Sequence, residues 1–180
     1  MYMDQYKQYK HDFLSAYDEY ADPIFRFCYY RVSDRDVAHD LVQEVFMRTW
    51  KYGIQGNEIK DIRAFLYQTA RNLIIDYYRK AKVDSLDQLS DDGMQFDDSA
   101  FIDPQDIVID ATYTLEKVKR VIMDLKDIHK EVIILRYIEG YGPKDIAHML
   151  NQTENVISVR LHRGMQELKE KLDHIQNHDK

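Results

Sequence analysis

A single cysteine, Cys28, stands in the 180 residues, so no internal disulfide can form, which suits a reducing compartment. Only three prolines and six glycines interrupt the chain, and its apolar spacing is mostly helical. A nearly all-α protein is therefore expected. No apolar run approaches the roughly 20 residues needed to span a bilayer, so no membrane insertion is expected. The N-terminal MYMDQYKQYKHDF is too polar for a signal peptide, and a cytoplasmic location is expected. No glycine-rich phosphate loop occurs, the cysteine is alone, and the seven histidines form no metal-ligand grouping. His174 and His178 are four apart but lie in a polar tail. The chain is accordingly read as not an enzyme, with no cofactor, no metal and no catalytic residues.

The other shortage is of positive charge. The formal net charge is −7, which at first argues against a nucleic-acid partner. Its distribution answers the objection. Residues 1–82 and residues 114–180 each carry a net charge of +1, while residues 83–113 hold nine aspartates and no lysine or arginine. Binding responds to local charge rather than to the total, so the two near-neutral ends remain open to nucleic acid.

What is there is organised around residues 142–172, GPKDIAHMLNQTENVISVRLHRGMQELKEKL. Gly142-Pro143 starts a helix, since proline at the first helical position loses an N–H that has no partner anyway. Ile146, Ala147 and Leu150 form its apolar side. Asn151-Gln152-Thr153 break the pattern, and Thr153 caps the next helix with Glu154 near its positive end. In that second helix Ile157, Leu161, Gly164, Leu168 and Leu172 share a buried face. Ser158, Val159, His162, Arg163 and Gln166 are left outside. A short helix, a three-residue turn and a longer helix with a polar, basic outer face form the pattern of a helix-turn-helix, whose second helix enters the DNA major groove. An ordinary antiparallel helix pair shares the same spacing.

Upstream, Phe13, Tyr17, Tyr20, Ile24, Phe27 and Cys28 fall at helical spacing, and Pro23 is expected to start a new helix. Asp34 caps a helix whose stripe is Val37, Ala38, Leu41, Val42, Val45, Phe46 and Trp50. Its polar face carries Asp36, Asp40, Gln43, Glu44, Met47 and Lys51. Residues 52–61, with two glycines and Asn57, read as a loop. A helix from Ile62 follows, IRAFLYQTARNLIIDYYRKAK, and its last turns mix Tyr77 and Tyr78 with Arg79, Lys80 and Lys82. Tyrosine faces stack on unpaired bases and cations neutralise phosphates, which suits single-stranded nucleic acid. A cation-rich helix C-terminus is also favoured by the helix dipole alone. The aspartate-rich stretch has too much like charge and too little periodicity for a packed core, and reads as a flexible linker. Helices resume from about Thr112 to Asp124-Leu125 and from Ile128 to Glu139, where Gly140 ends the run.

Three of these stretches together resemble one family. AHDLVQEVFMRTW (Ala38–Trp50) looks like the A-x-D-L-x-Q-E-x-F-x-R-x-W segment of bacterial extracytoplasmic-function (ECF, group IV) sigma factors of the sigma-70 family. FLYQTARNLIIDYYRK (Phe65–Lys80) is similar to that family's W-L-x-x-I-A-x-N-x-x-x-D-x-x-R segment. Leu125–Leu172 resembles its C-terminal domain. Order and spacing agree over most of the chain outside the acidic stretch. Phe65 stands where tryptophan is usual, Gly164-Met165 replace a common Ala-Arg, and Ser158 sits where a basic residue is frequent.

The resemblance implies an alternative sigma factor that binds core RNA polymerase and directs promoter-specific initiation. It implies two small helical domains, residues 1–82 and 113–180, joined by the acidic linker 83–112, the second being the helix-turn-helix. Asp40, Leu41, Gln43, Glu44 and Met47 would engage core polymerase. Arg71, Asn72, Asp76, Tyr78, Arg79, Lys80 and Lys82, with the 52–61 loop, would recognise and melt the minus-ten element. Thr153, Asn155, Ser158, Val159, Arg160, His162 and Arg163 would read the minus-thirty-five element. The implied partners are core RNA polymerase, promoter DNA and an anti-sigma factor, and the linker would thread polymerase's RNA-exit path. The rival reading is an independent helix-turn-helix transcriptional regulator, with a ligand pocket or dimer interface in residues 1–82.

Overall fold

The computed structural model describes residues 2–84 and 115–178, with side chains from 6 to 80 and from 117 to 175. The acidic linker, from residue 85 on, lies outside the described residues. Every described element is a helix.

Three helices make the first half: α1 (Tyr2–Val32), α2 (Arg35–Ile54) and α3 (Ile62–Asp84). Asp34 caps α2, accepting from the N–H groups of Asp36 at 2.9 Å and Val37 at 3.0 Å. Asp61 caps α3 through the Ala64 N–H at 2.9 Å. The apolar stripes of the three meet in a core of Ile24, Phe27, Val45, Leu66, Tyr67, Ala70 and Ile74. An aromatic layer extends it, with Phe13 edge-on to Trp50 (5.0 Å) and Tyr9 stacked on Trp50 (5.3 Å). Tyr9 reaches that position over Gly53, where a Cβ would lie 2.0 Å from the tyrosine ring.

Two boundaries differ from expectation. α1 runs straight through Pro23 rather than restarting there. An interior proline loses a hydrogen bond and crowds the carbonyl four residues back, costing about 3 kcal/mol. Burial of Ile24, Phe27 and Cys28 just beyond it opposes that cost. α2 continues through Tyr52 to Ile54, so the loop is shorter than residues 52–61. Tyr52 packs on Phe65 at 4.9 Å, which holds this last turn against α3.

Cys28 is fully buried among these helices, and burial pushes its thiol up to about 12 despite nearby Arg31. The folded protein should therefore resist neutral-pH alkylation and label fully once unfolded. Rapid stoichiometric labelling of the native chain, read by intact mass, would contradict this placement.

The second half comprises α4 (Leu115–Met123), α5 (Asp127–Ile133), a π-helical turn (Ile134–Ile138), α6 (Pro143–Leu150) and α7 (Glu154–His178). The expected helix from Ile128 to Glu139 is thus α5 plus the wider turn, closed by Gly140 at φ 78°. Its C-terminal carbonyls are reached from Glu139 N–H to Ile134 and Tyr141 N–H to Leu135. α5 lies against α7 at Gly164, where a Cβ would come within 3.0 Å of Ile133. Glu167 on α7 accepts from the Lys126 N–H and pairs with His129 at 2.6 Å, tying the start of α5 to α7.

Val132, Ile133, Ile134 and Leu135 are all buried, although a surface helix buries only one stripe. The reason is the packing of the two halves on each other. α1 touches α4, α5 and the π turn, and α3 touches α6. α5 is therefore enclosed by α7 on one side and α1 on the other.

Candidate nucleic-acid interface

The helix-turn-helix forms as the spacing of α6 and α7 dictates. Asn151 ends α6 in the left-handed region (φ 52°, ψ 51°), a conformation asparagine tolerates. The Gln152 N–H returns to the Ala147 carbonyl at 2.9 Å, and the Thr153 hydroxyl accepts from the Val156 N–H at 3.3 Å. These bonds satisfy groups that helix ends otherwise leave open. Ile157, Leu161, Gly164, Leu168 and Leu172 face inward as expected.

The seven expected residues of this surface do not share one environment. Thr153, Asn155 and Arg163 are exposed; Ser158, Val159 and His162 are half-buried. Arg160 is only 8% exposed, and its Nε and Nη1 have no hydrogen-bond partner among the described residues. Burial, partly offset by Glu131, holds its guanidinium below the usual arginine range. Met165, where the family pattern has an arginine, is buried too, so in this structure it takes no cation from the outer face.

On α3 the expected minus-ten residues also divide. Asn72, Arg79 and Lys80 are exposed, and Arg79 pairs with Asp76 at 3.0 Å. Tyr78 is partly exposed, but its hydroxyl donates to the Arg31 carbonyl. The side chain of Lys82 lies outside the described residues. Arg71 turns the other way, with its Nε donating to Glu131 at 2.9 Å.

Glu131 is where these elements converge. Its carboxylate accepts from Arg31 of α1 and Arg71 of α3, both at 2.9 Å, and it lies near Arg160 of α7. Arg31 also rests over the Phe27 ring, 5.8 Å from its centroid. A second junction joins Arg26 to Glu139 by two 2.7 Å bonds, and Glu139 holds the arginine's charge firmly in place. Around the rim, Arg63 pairs with Asp145 at 3.4 Å and His148 meets Asp61 at 3.3 Å. Motif reading did not single out Glu131 or Glu139. The signal was the unbroken apolar run that follows Glu131, too long for a helix exposed on one side.

The expected polymerase-facing residues lie on α2. Asp40 and Gln43 are exposed, Met47 is 49% exposed, and Glu44 holds Arg48 at 2.6 Å. Leu41 is 8% exposed and belongs to the core beneath that face, a correction to its place among the surface contacts. Beside Met47 runs an open apolar groove of about 530 Å³ lined by Phe13, Leu14, Tyr17, Phe46 and Trp50. Leu14 and Tyr17 were not expected on this face, because α1 read from spacing alone gave no hint of which side α2 would cover.

Fold and surfaces thus define a helical, two-part protein whose second part is a helix-turn-helix. Residues 16–83 match the family of sigma-70 region 2, and residues 115–168 match that of sigma-70 region 4. The ECF RNA polymerase sigma factor SigM of Bacillus subtilis (strain 168) is 30% identical over 155 residues, covering 85% of this chain and 90% of SigM. SigW of the same organism, also an ECF RNA polymerase sigma factor, is 29% identical over 167 residues, covering 89% and 88%. Among solved structures, the sigma factor RpoE, in complex with the anti-sigma factor NepR from Bartonella quintana, shares the fold with a TM-score of 0.67. Its identity is 24%, and the match covers 90% of this chain and 97% of that one. The chain belongs to the ECF sigma factors of the sigma-70 family, and its function is that of an alternative RNA polymerase sigma factor. The independent-regulator reading is not favoured.

Proposed function

We propose that residues 1–82 bind core RNA polymerase and read the minus-ten element, that residues 113–180 read the minus-thirty-five element, and that residues 83–112 connect them. The protein is not itself an enzyme; it lends promoter specificity to one, in the cytoplasm. Asp40, Gln43, Glu44 and Met47 meet polymerase. Asn72, Arg79 and Lys80, with Arg71, Asp76, Tyr78 and Lys82, meet the minus-ten strand. Thr153, Asn155, Ser158, Val159, His162 and Arg163, with Arg160, meet the minus-thirty-five groove. The observation that carries this reading is the exposure of Arg163 on the outer side of α7, in a chain whose α3 exposes Asn72, Arg79 and Lys80. An anti-sigma factor is a further partner, in line with the complex in which RpoE was solved.

Run-off transcription with purified core polymerase on a promoter library tests the reading. Selective initiation from a subset of templates is expected, and no stimulation over core enzyme alone would overturn it. The Asp40→Ala, Gln43→Ala double variant should lose capture by core polymerase while keeping its thermal midpoint, since exposed substitutions usually change stability by only about 0.5 kcal/mol. Unchanged capture in a pull-down would remove this face from the interaction. Arg163→Ala should weaken promoters that need the minus-thirty-five element by about 1–3 kcal/mol. A footprint identical to wild type would exclude Arg163.

A further inference from the structure

The match to sigma-70 region 2 begins at residue 16, yet α1 begins at Tyr2. The added length, about four helical turns, carries specific contacts. Its rings Tyr6, Tyr9 and Phe13 close on Trp50 near the end of α2, at 6.1, 5.3 and 5.0 Å. Tyr9 reaches furthest. Its ring lies across Gly53, and its hydroxyl donates to the Thr49 carbonyl at 2.8 Å, with the Trp50 carbonyl at 3.4 Å. Burial raises the phenol's pKa above its ordinary value, so at neutral pH it stays protonated and remains a donor. The backbone of Gly53 is helical rather than left-handed, so glycine is needed there for space: a Cβ would collide with the Tyr9 ring.

The next loop hangs from the turn that Tyr9 grips. The Gln55 N–H donates to the Lys51 carbonyl at 3.3 Å, the Gly56 N–H to Gly53 at 3.0 Å, and the Asn57 side-chain amide to Tyr52 at 3.0 Å. Gln55, Gly56, Asn57, Glu58 and Lys60 are exposed, and Ile59 is half-buried. Apolar burial therefore does little to place this loop, and its bonds to the last turn of α2 do more. We propose that Tyr9 is a positioning residue for promoter opening: by holding the end of α2 it sets the loop between α2 and α3 where that loop meets the minus-ten element. The proposal rests on the assignment of the loop and α3 to the minus-ten strand. Tyr9 itself touches no DNA; it acts through Gly53 and the carbonyls of Thr49 and Trp50. A ring in the middle of a core supports every function of the fold at once. Tyr9 is half-buried, between exposed Gln8 and Lys10 at the edge of the domain, where a lost contact loosens one turn and one loop.

The test uses holoenzyme assembled from core polymerase and the full chain, on a promoter selected by run-off transcription. Capture by core polymerase is one readout. Permanganate reactivity of thymines in the minus-ten element, which reports unpaired bases, is the other. Tyr9→Ala should leave capture unchanged and lower the reactivity about 10-fold, as when the competent placement of the loop falls to about a tenth of the molecules. Tyr9→Phe keeps the ring over Gly53 and should retain most of the reactivity. Gly53→Ala puts a methyl group where the ring lies. By helix propensity alone it strengthens α2, since alanine is the better helix former. By the brace it displaces Tyr9 and lowers reactivity as Tyr9→Ala does, so the two accounts differ in sign. Once the ring is gone the methyl group has nothing to displace, and the double variant should be no worse than Tyr9→Ala alone. Full reactivity in Tyr9→Ala would overturn the proposal. A parallel loss of core capture would show a general structural role and also overturn it, as would additive losses in the double variant. If Tyr9→Ala does not fold, Gly53→Ala decides: lowered reactivity with capture intact supports the brace, and full reactivity overturns it. Arg79→Ala checks the underlying reading separately. If it leaves reactivity unchanged, the assignment of α3 to the minus-ten strand fails and the proposal with it; if it lowers reactivity while Tyr9→Ala does not, the brace alone fails.

Discussion

Phe27→Ala is expected to cost about 3–5 kcal/mol of folding stability, the range for removing a fully buried aromatic ring. Phe27 has no exposed surface and meets Tyr67 edge-on at 5.3 Å, so truncation leaves a cavity between α1 and α3. The neighbouring helices cannot close it easily, because Ile24, Leu66 and Ile74 are themselves fully buried. The ring also carries Arg31 on its face, so its loss loosens the arginine that reaches across to Glu131. Urea denaturation followed by circular dichroism measures the effect. A loss below about 1 kcal/mol would mean that the site collapses around the smaller side chain and that Phe27 is not central to this core.

Glu131→Ala should be about as severe for a different reason. Its carboxylate is 2% exposed and serves Arg31 and Arg71 together. Removing one partner of a buried ion pair typically costs about 3–5 kcal/mol, because the remaining charge is left without compensation. Here more than one guanidinium would be left so. Glu131→Gln keeps an acceptor of similar shape and should fall between the variant and wild type. A loss of no more than about 0.5 kcal/mol in urea denaturation would show that the buried pairs with Arg31 and Arg71 contribute little to stability.

The helices were legible in the sequence where a stripe of apolar residues was flanked by a recognisable start or stop. Asp34 before the Val37–Trp50 stripe and Gly142-Pro143 before Ile146 are such cases, and both caps form as expected. Pro23 misled because a local helix breaker was outweighed by burial of Ile24, Phe27 and Cys28 just beyond it, which spacing cannot weigh. Leu41 and Arg160 illustrate the same limit at the candidate surfaces. Each sits within a motif whose neighbours are exposed, yet each is buried. A motif names residue types along the chain; whether a particular side chain faces water depends on what packs above it.

The sequence by itself determined the all-α class and the helix-turn-helix with its turn, because each depends on residues within a few turns of one another, and membership in the sigma factor family, because its local motifs follow one another in the family's order. Only the tertiary structure decided that α5 is covered on two sides, that Arg71 and Arg160 face the junction between halves, and that Glu131 and Glu139 join the two. Arg26 and Glu139 are 113 positions apart, and Arg31 and Glu131 are 100 apart. Pairings at such separation leave no trace in a helical period. They are selected when two finished helical surfaces meet and their charges are forced out of water together.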